Sequence, residues 1–523
     1  MKPRPSPGTT KQPRGIKVVI VGGGTAGWMA AVALGRLLVP AGGQVTLIES
    51  DAIATVGVGE ATIPPIRTFH AMLGIDEDAF LTATGGSYKL GIRFEGWSRP
   101  AESYVHPFGQ IGTDIAGLPF AAQWLRARQA GDAENLDRYS LEARAAETGR
   151  FSRPIANGDS PLSRIGYAYH FDAARYAGFL RAQAEAQGVT RREGKVVRVE
   201  TGPAGIAAVH VADGTRPDGR PDGRPDRRPD GRIDGDLFID CTGFRALLIE
   251  GALTAGWEDW STWLPCDRAV AVPSSADAAP LPLTRAIAQP AGWRWRIPLR
   301  HRTGNGHVFC SRYMSEDQAV ARLLDAIEGE ALADPRVIRF ATGHRRQFWS
   351  GNCIALGLAA GFMEPLESTS IHLVQSGLQH LLQMLPGTGA ASSVVIERYN
   401  RVMTAEFVRI RDFLVAHYHL NARPETFWRD RAAAPIPEGL ADKLTLFRHG
   451  GRIFRESDEL FNETSWLSLL TGQNAVVEGH DPLCAALPID RAATRIAQIE
   501  QVVTASLAHM PPHAEALARF ERR

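Results

Sequence analysis

The sequence predicts an α/β fold with a Rossmann-like core over residues 16–385 and a mostly helical C-terminal portion over 386–523. Two observations predict this class. Near the N-terminus, an apolar strand, a glycine turn, a helix and a second strand follow one another, which is the βαβ order of a parallel sheet. Towards the other end, helical periodicity is sustained over 371–385, 393–418 and 488–508. We interpret residues 1–15 as a flexible tail.

Composition and charge exclude several classes of protein. The 523 residues are 44% hydrophobic and 22% charged, which is ordinary for a globular protein and too apolar for a disordered one. The 58 basic and 57 acidic residues nearly cancel, so we expect no nucleic-acid or membrane-surface partner. The five cysteines form neither a disulfide framework nor a metal site, and we find no signal peptide or membrane span. A cytoplasmic location fits best.

Apolar runs and turn residues predict the individual elements of the core. Beyond the first βαβ unit, the strands are expected at 167–171, 196–200, 206–212, 236–240, 293–299 and 307–313, and a helix at 172–187. Residues 216–232 repeat Arg-Pro-Asp-Gly, which predicts a low-complexity surface loop at a hairpin end. Its arginines could bind phosphate, but each is followed closely by an aspartate that neutralises it.

The first βαβ unit carries a dinucleotide-binding motif. Gly22, Gly24 and Gly27 fit G-x-G-x-x-G, with Thr25 and Ala26 inside it, between the strand 17–22 and the helix 28–38. The glycines permit a tight turn that points the helix N-terminus at a pyrophosphate. Glu49 ends the second strand, where an acid accepts a hydrogen bond from a ribose hydroxyl. The alternative is a plain glycine turn.

Two later strand-then-glycine segments help to choose the dinucleotide. They are DLFIDCTG at 236–243 and NCIALG at 352–357, the second ending on Gly357. Flavoproteins of the glutathione-reductase type complete their cofactor site with such segments. The motif itself is compatible with NAD or FAD, and these segments favour an FAD-binding core of the glutathione-reductase/hydroxylase type.

Several sequence blocks resemble the flavin-dependent tryptophan halogenases. The signature W-x-W-x-I-P is formed by Trp293, Trp295, Ile297 and Pro298. Further blocks similar to the family, in the same order along residues 16–420, are GGGTAGW (22–28), GVGEATIP (57–64), SYKLGIRFEGW (87–97), HPFG (106–109) and EPLEST (364–369). Beyond about residue 420 the resemblance is weaker.

The resemblance implies two catalytic residues. Lys89 matches the family's active-site lysine; it is one of six lysines in a chain whose other 52 basic residues are arginine. A desolvated amine can lose its proton and act as a nucleophile or hydrogen-bond donor. Glu367 matches the glutamate beside that lysine. From the residues alone, Lys89 would more often be a structural or exposed lysine. Glu367 would be a first-turn charge before a helix that begins near Ser368, and Ser368 or Thr369 would be a simple N-cap.

The resemblance also implies the rest of the site. The backbone of Thr369 and Ser370 would bind halide, and Ser370 replaces the glycine of the family's best-known members. His106, Pro107 and Phe108 would line the substrate chamber. Glu60 would lie in a loop against the flavin. The two signature tryptophans would lie near the flavin, although on a strand they could equally be core.

The implied activity is halogenation of an electron-rich aromatic ring in an indole- or tryptophan-type substrate. Reduced FAD from a separate NAD(P)H flavin reductase, oxygen, and bromide or chloride would yield hypohalous acid, which Lys89 guides to the ring. The alternatives are a flavin-dependent aromatic monooxygenase and a non-catalytic flavoprotein. The sequence does not determine the native substrate, the halide preference or whether the protein is a homodimer.

Overall fold

A six-stranded, mainly parallel sheet forms the centre of the fold. The computed structural model describes residues 15–53, 59–156, 158–212, 231–387, 390–456 and 459–520. Within these ranges the strands are β1 (Lys17–Val21), β2 (Gln44–Glu49), β3 (Gly59–Ala61), β4 (Ser87–Lys89), β5 (Gly91–Glu95), β6 (Ser103–Pro107), β7 (Ala168–Asp172), β8 (Thr190–Glu193), β9 (Val196–Gly202), β10 (Gly205–Val211), β11 (Arg232–Asp234), β12 (Leu237–Asp240), β13 (Trp257–Asp259), β14 (Arg268–Ser274), β15 (Thr284–Gln289), β16 (Gly292–Pro298), β17 (Thr303–Phe309), β18 (Arg336–Arg339), β19 (Gly343–Arg345), β20 (Trp349–Ser350), β21 (Cys353–Ala355) and β22 (Gly361–Phe362).

The helices cover the sheets and make up most of the C-terminal part. In the same ranges they are α1 (Thr25–Leu38), α2 (Pro65–Leu73), α3 (Glu77–Thr84), α4 (Phe120–Ala130), α5 (Leu141–Glu147), α6 (Ala173–Ala186), α7 (Glu316–Asp325), α8 (Ser370–Gln383), α9 (Ser393–His419), α10 (Thr426–Ala433), α11 (Glu438–Gly450), α12 (Glu463–Gly472), α13 (Ile489–Ala508) and α14 (His513–Ala518).

The central sheet has the order β20-β21-β12-β1-β2-β8, and only the β20–β21 pair is antiparallel. After Lys17, β1 is a continuous apolar run, as is usual for a strand of a parallel sheet that is covered on both faces. Here α1 packs against β2 and α6. The predicted α/β class with a Rossmann-like core is confirmed.

Two further sheets position the candidate site. A seven-stranded sheet has the order β18-β14-β17-β16-β15-β5-β6, and a small antiparallel sheet has the order β3-β7-β4. In the small sheet, Lys89 at the end of β4 pairs with Ala168 of β7. The carbonyl of Pro298, at the end of β16, accepts a hydrogen bond of 2.6 Å from the Ser87 hydroxyl, so the two sheets meet beside Lys89.

The predicted strand and helix bounds agree with the structure to within a few residues, with three exceptions. The strand expected at 307–313 is β17, which ends at Phe309 because the chain turns where the Met314 amide bonds the Cys310 carbonyl. The loop expected at 216–232 ends before Arg232, because Arg232 is the first residue of β11 and pairs with His210 of β10. Glu60, expected in a loop, lies in β3 opposite Phe171.

Parts of two predictions lie outside the described residues. These are residues 1–14 of the expected tail and 216–230 of the repeat. The strands on either side of the repeat, β10 and β11, pair antiparallel, which is the hairpin arrangement expected there. Among the described residues, none of the helices combines the length and the apolar character needed to cross a bilayer.

Candidate functional site

The glycine turn between β1 and α1 forms an open cradle at a helix N-terminus. Gly22 has φ +111°, and a Cβ there would lie 2.2 Å from the Cys241 carbonyl oxygen. A Cβ at Gly27 would lie 1.8 Å from the carbonyl oxygen of Gly22, so neither position accepts a side chain. A Cβ at Gly24, by contrast, would meet no atom within 4 Å. The turn therefore leaves space in front of the α1 amides, which fits a pyrophosphate.

Glu49 lies at the end of β2 and leans over this turn. Its Oε1 accepts a hydrogen bond of 2.6 Å from Nε of Arg191, and its Oε2 accepts one of 3.3 Å from the Trp28 indole. The turn at Gly357, which has φ +63°, approaches the start of α1 so closely that a Cβ at Gly357 would lie 2.8 Å from the Cβ of Ala26. Glu49 and Gly357, both predicted to contact the cofactor, therefore lie beside the glycine turn and around the same cradle.

Lys89 is fully buried, and its amine meets two oxygen atoms. Nζ donates hydrogen bonds of 3.0 Å to the Thr62 carbonyl and 2.8 Å to the Ser368 hydroxyl. It also lies 5.0 Å from the centre of the Phe108 ring. Burial lowers the pKa of Lys89 to about 7, and the charge of Glu367 opposes part of that shift. A large share of this amine is therefore neutral near pH 7.

Glu367 is also fully buried, in the short turn Pro365–Glu367 before α8. Its Oε2 lies 2.9 Å from Nδ1 of His106 on β6, and its Oε1 lies 3.1 Å from Nε2 of His417 on α9. The first contact has hydrogen-bond geometry; the second has the separation of an ion pair. Burial alone would raise the pKa of Glu367, but the two imidazoles outweigh it and lower the pKa to about 2.

The residues after Glu367 connect it to Lys89 and to a helix start. Ser368 has φ +59°, a conformation that turns its hydroxyl towards Lys89. The α8 helix begins at Ser370 rather than near Ser368, and the side chain of Thr369 forms no capping bond. A simple N-cap role for Ser368 or Thr369 is therefore wrong. The first amides of a helix have no intrahelical partner, so this start can receive an anion.

The remaining predicted residues lie near these groups. Pro107 ends β6 directly after His106, and the Phe108 amide bonds the Leu90 carbonyl beside Lys89. Glu60, on β3, is half-buried, and the enclosure of its carboxyl group raises its pKa to about 7. Among the described residues, Lys89 makes no direct ion pair with Glu367; Ser368 lies between them in the chain and contacts the amine.

Comparison with known proteins identifies the family. The family model for tryptophan halogenase matches residues 17–489. A tryptophan 6-halogenase of Streptomyces toxytricini is 36% identical over 83% of this chain and 84% of its own length. A tryptophan 7-halogenase of Lentzea aerocolonigenes is 33% identical over 90% and 92%. The chain belongs to the tryptophan halogenase family.

Solved structures support the same assignment for the fold of this halogenase. A flavin-dependent halogenase from Xanthomonas campestris has a TM-score of 0.89 and 46% identity, covering 97% of this chain and 98% of its own. One from a Brevundimonas species has a TM-score of 0.89 and 42% identity, covering 97% and 100%. The FAD-binding type of the Rossmann-like core, expected from the glycine segments, is confirmed.

The signature strand of this halogenase is anchored to the turn that carries Glu367. On β16, the Trp293 indole donates a hydrogen bond of 2.8 Å to Oε2 of Glu364, which also accepts one from the Tyr418 hydroxyl. Burial raises the pKa of Glu364 to about 7. The Trp295 ring lies 6.1 Å from that of Trp293, and Ile297 lies 3.5 Å from where a Gly59 side chain would begin.

Sequence reasoning missed Glu364 and His417 of this halogenase as parts of the site. In the sequence, Glu364 is only the first residue of the block EPLEST. His417 follows Ile410 and Phe413 at helical spacing on the buried face of α9, so a histidine among apolar positions was the available signal. That signal predicts burial and not a carboxylate partner, because Glu367 lies 50 positions away in the chain.

Proposed function

We propose that this protein uses reduced FAD, oxygen and bromide or chloride to halogenate an electron-rich aromatic ring of the indole or tryptophan type. Hypohalous acid, guided by Lys89, is the halogenating species. The observation that carries the proposal is the fully buried Lys89 amine, bonded at 2.8 Å to the hydroxyl next to Glu367. Burying an amine without a direct ion-pair partner costs stability, and a role in the reaction accounts for that cost.

The cradle around Gly24 would hold the FAD pyrophosphate, and Glu49 would accept a hydrogen bond from its ribose. Arg191 keeps that carboxylate in place through a bond of 2.6 Å. Gly357 brings the second chain segment against the same helix N-terminus. When bound, the reduced cofactor would supply two electrons to oxygen, so that one oxygen atom leaves as water and the other oxidises halide to hypohalous acid. A separate NAD(P)H flavin reductase would supply reduced FAD, as is general in the family.

Lys89 would receive the hypohalous acid and deliver its halogen. The neutral amine either donates a hydrogen bond to the acid or attacks its halogen; in the second case a nitrogen–halogen bond forms, the halogen–oxygen bond breaks, and water leaves with the amine proton. Thr62 and Ser368 hold the amine in one direction with bonds of 3.0 and 2.8 Å. Such a fixed donor explains how one ring carbon can be selected.

Glu367 would stabilise the ring cation that forms when halogen adds to the substrate, and it would then accept the ring proton. A carboxylate serves both purposes only while it is ionised. The contacts of 2.9 and 3.1 Å from His106 and His417 favour that state in a fully buried position. His106 would also line the substrate chamber with Pro107 and Phe108.

The amides of Thr369 and Ser370 would bind halide at the start of α8, which suits an anion. Ser370 places a hydroxymethyl group where the family's best-known members have glycine. We propose that this group affects which halide enters. The preference is measured in the same assay as the activity, with bromide and chloride in separate and mixed reactions.

Mass spectrometry of the products tests the proposed function. The protein is mixed with FAD, NADH, a flavin reductase, oxygen and one halide, against tryptophan, indole and phenols. We expect a halogen isotope pattern that Lys89→Ala abolishes, reducing product at least about 100-fold, the range contributed by a positioned catalytic group. Lys195→Ala, at an exposed lysine, is the matched control and should keep full activity. A hydroxylated product would indicate an aromatic monooxygenase instead, and product formation by Lys89→Ala would refute the assigned role.

A further inference from the structure

Two imidazoles contact Glu367, one at each oxygen of its carboxylate. His106 reaches Oε2 from β6 at 2.9 Å, and His417 reaches Oε1 from α9 at 3.1 Å. His417 is wholly buried. A buried polar side chain costs stability unless its partners compensate it, so the number of protons shared by His417 and Glu367 decides whether this contact is favourable.

The contact of Nδ1, the other ring nitrogen of His417, shows where one of these protons lies. Nδ1 lies 2.9 Å from the carbonyl oxygen of Phe413, one helical turn earlier. A carbonyl oxygen can only accept, so Nδ1 carries a hydrogen. In the neutral ring Nε2 would then present its lone pair to Oε1 of Glu367 across 3.1 Å. Two facing lone pairs repel at that distance, so the contact is attractive only if one of the two groups carries a proton; the pair has the separation of an ion pair and not the geometry of a hydrogen bond.

We propose that His417 is an imidazolium cation and the positioning residue of Glu367. It holds the carboxylate ionised and oriented at a fully buried position. The inference rests on the proposed function only in giving Glu367 its task as the base and the counter-charge of the ring cation. The protonation state itself follows from the contacts of His417 and can be measured without turnover.

The surroundings of His417 fit a cation. The rings of Phe94, Trp97 and Phe413 lie with centroids 4.7, 5.8 and 5.2 Å from its own. Aromatic rings tolerate a positive charge better than aliphatic side chains do. Within the part of the chain that the structure describes, Glu367 is the charged side chain in contact with this ring. The charge is therefore paired, which a buried charge requires.

The pairing has a consequence for Lys89. The groups facing its amine are the Thr62 carbonyl, the Ser368 hydroxyl and the Phe108 ring, and the buried His170 of β7 is electrostatically coupled to it. None of these is an anion. Glu367 is the nearby negative charge that favours protonated lysine. An imidazolium that compensates Glu367 weakens this effect and keeps the amine neutral and reactive near pH 7.

Nitrogen NMR on the full chain with FAD, labelled with ¹⁵N-histidine, measures the state of His417. We expect one imidazolium signal, absent from His417→Gln, that persists from about pH 6 to about pH 8, where a free histidine would lose its proton. Infrared spectra of wild type and Glu367→Gln provide a second measurement that needs no His417 variant. A protonated-carboxyl band present in wild type and lost in Glu367→Gln would overturn the proposal, as would a neutral His417 signal.

Kinetics then separate positioning from mere packing. In His417→Gln, the low-pH limb of the halogenation rate profile should move up by about 1–2 pH units, because the charge of Glu367, no longer compensated by His417, raises the pKa of Lys89. We expect kcat to fall and KM for the aromatic substrate to stay within about twofold of wild type, as for a group that acts in the transition state. An unmoved low-pH limb in a folded variant would refute the effect on Lys89.

His344→Gln is the matched control. His344 is likewise buried and has Nδ1 2.7 Å from a backbone carbonyl, that of Arg345, but it does not contact Glu367. Its variant should keep the wild-type pH profile. The two proposals fail separately: an inactive wild type with an imidazolium His417 contradicts only the proposed function, and an active wild type with a neutral His417 contradicts only this inference.

Discussion

At the scale of a single residue, the titration of Lys89 predicts how activity depends on pH. Burial lowers the pKa of its amine to about 7, and only the neutral amine has the lone pair needed to attack the halogen of hypohalous acid. The neutral fraction is about one tenth at pH 6 and about nine tenths at pH 8, so the halogenation rate should rise about tenfold across that interval. The measurement is initial product formation at saturating halide and reduced FAD.

The control for this profile is NADH oxidation by the flavin reductase in the same buffers, which reports any pH dependence of the supply of reduced FAD. A halogenation rate that stays flat from about pH 6 to about pH 8 with a constant supply would contradict attack by the neutral amine, because an amine with a pKa of about 7 changes its protonation state across this interval.

The sequence predicted single residues unevenly. Lys89 could be singled out because lysine is rare in this chain, with six against 52 arginines, and because a family block contains it. His417 could not, because its significance depends on the turn at Pro365–Glu367 approaching one face of α9. Local periodicity reports which face of a helix is buried; it does not report which charge that face will meet.

At the scale of elements, β16 positions the turn that carries Glu367. The Trp293 indole and the Tyr418 hydroxyl both donate to Glu364, which connects β16 and α9 to that turn. Trp293→Phe keeps the ring and removes one donor from a buried carboxyl group. We expect it to lower the free energy of unfolding by about 1–3 kcal/mol, the cost of leaving a buried polar group unsatisfied.

Trp295→Phe is the matched control, because it makes the same replacement two positions along the strand. Among the described residues, the Trp295 indole nitrogen donates no hydrogen bond, although its ring is buried. Denaturant unfolding of both variants measures the difference. Equal losses of stability in the two would show that ring packing, rather than the bond to Glu364, makes Trp293 important.

Elements were more predictable than residues, for a physical reason. The first strand, the glycine turn and α1 are specified by apolar runs and by glycines whose Cβ atoms would collide, as at Gly27. Glu60 was misplaced because three residues of β3 have too short a pattern to reveal a strand. That strand exists because β7 supplies its hydrogen bonds, and β7 lies more than 100 residues further along the chain.

At the scale of the whole molecule, the last described residues return to the strand that carries Lys89. Arg519 donates a hydrogen bond to the Tyr88 hydroxyl, and the rings of His513 and Phe520 lie 6.2 and 6.4 Å from the Tyr88 ring. The His513 amide also bonds the Gly149 carbonyl at 2.7 Å. The active-site strand β4 is thus braced by a segment more than 400 residues away in the chain.

Deleting residues 510–523 should therefore weaken the site without removing the dinucleotide cradle. The deletion removes the buried side chains of Met510, Leu517 and Phe520 and exposes the apolar surface that they cover. Burial of each such side chain stabilises the fold by about 1.5–3 kcal/mol, so we expect the free energy of unfolding to fall by at least about 4 kcal/mol. Because β1, α1 and β2 are formed without this segment, FAD binding at low temperature should survive while halogenation falls.

Deleting only 521–523 is the control, since it leaves all of these contacts in place. Unchanged halogenation in the longer deletion would contradict the bracing of β4, and loss of FAD binding would indicate that the effect is not confined to that strand.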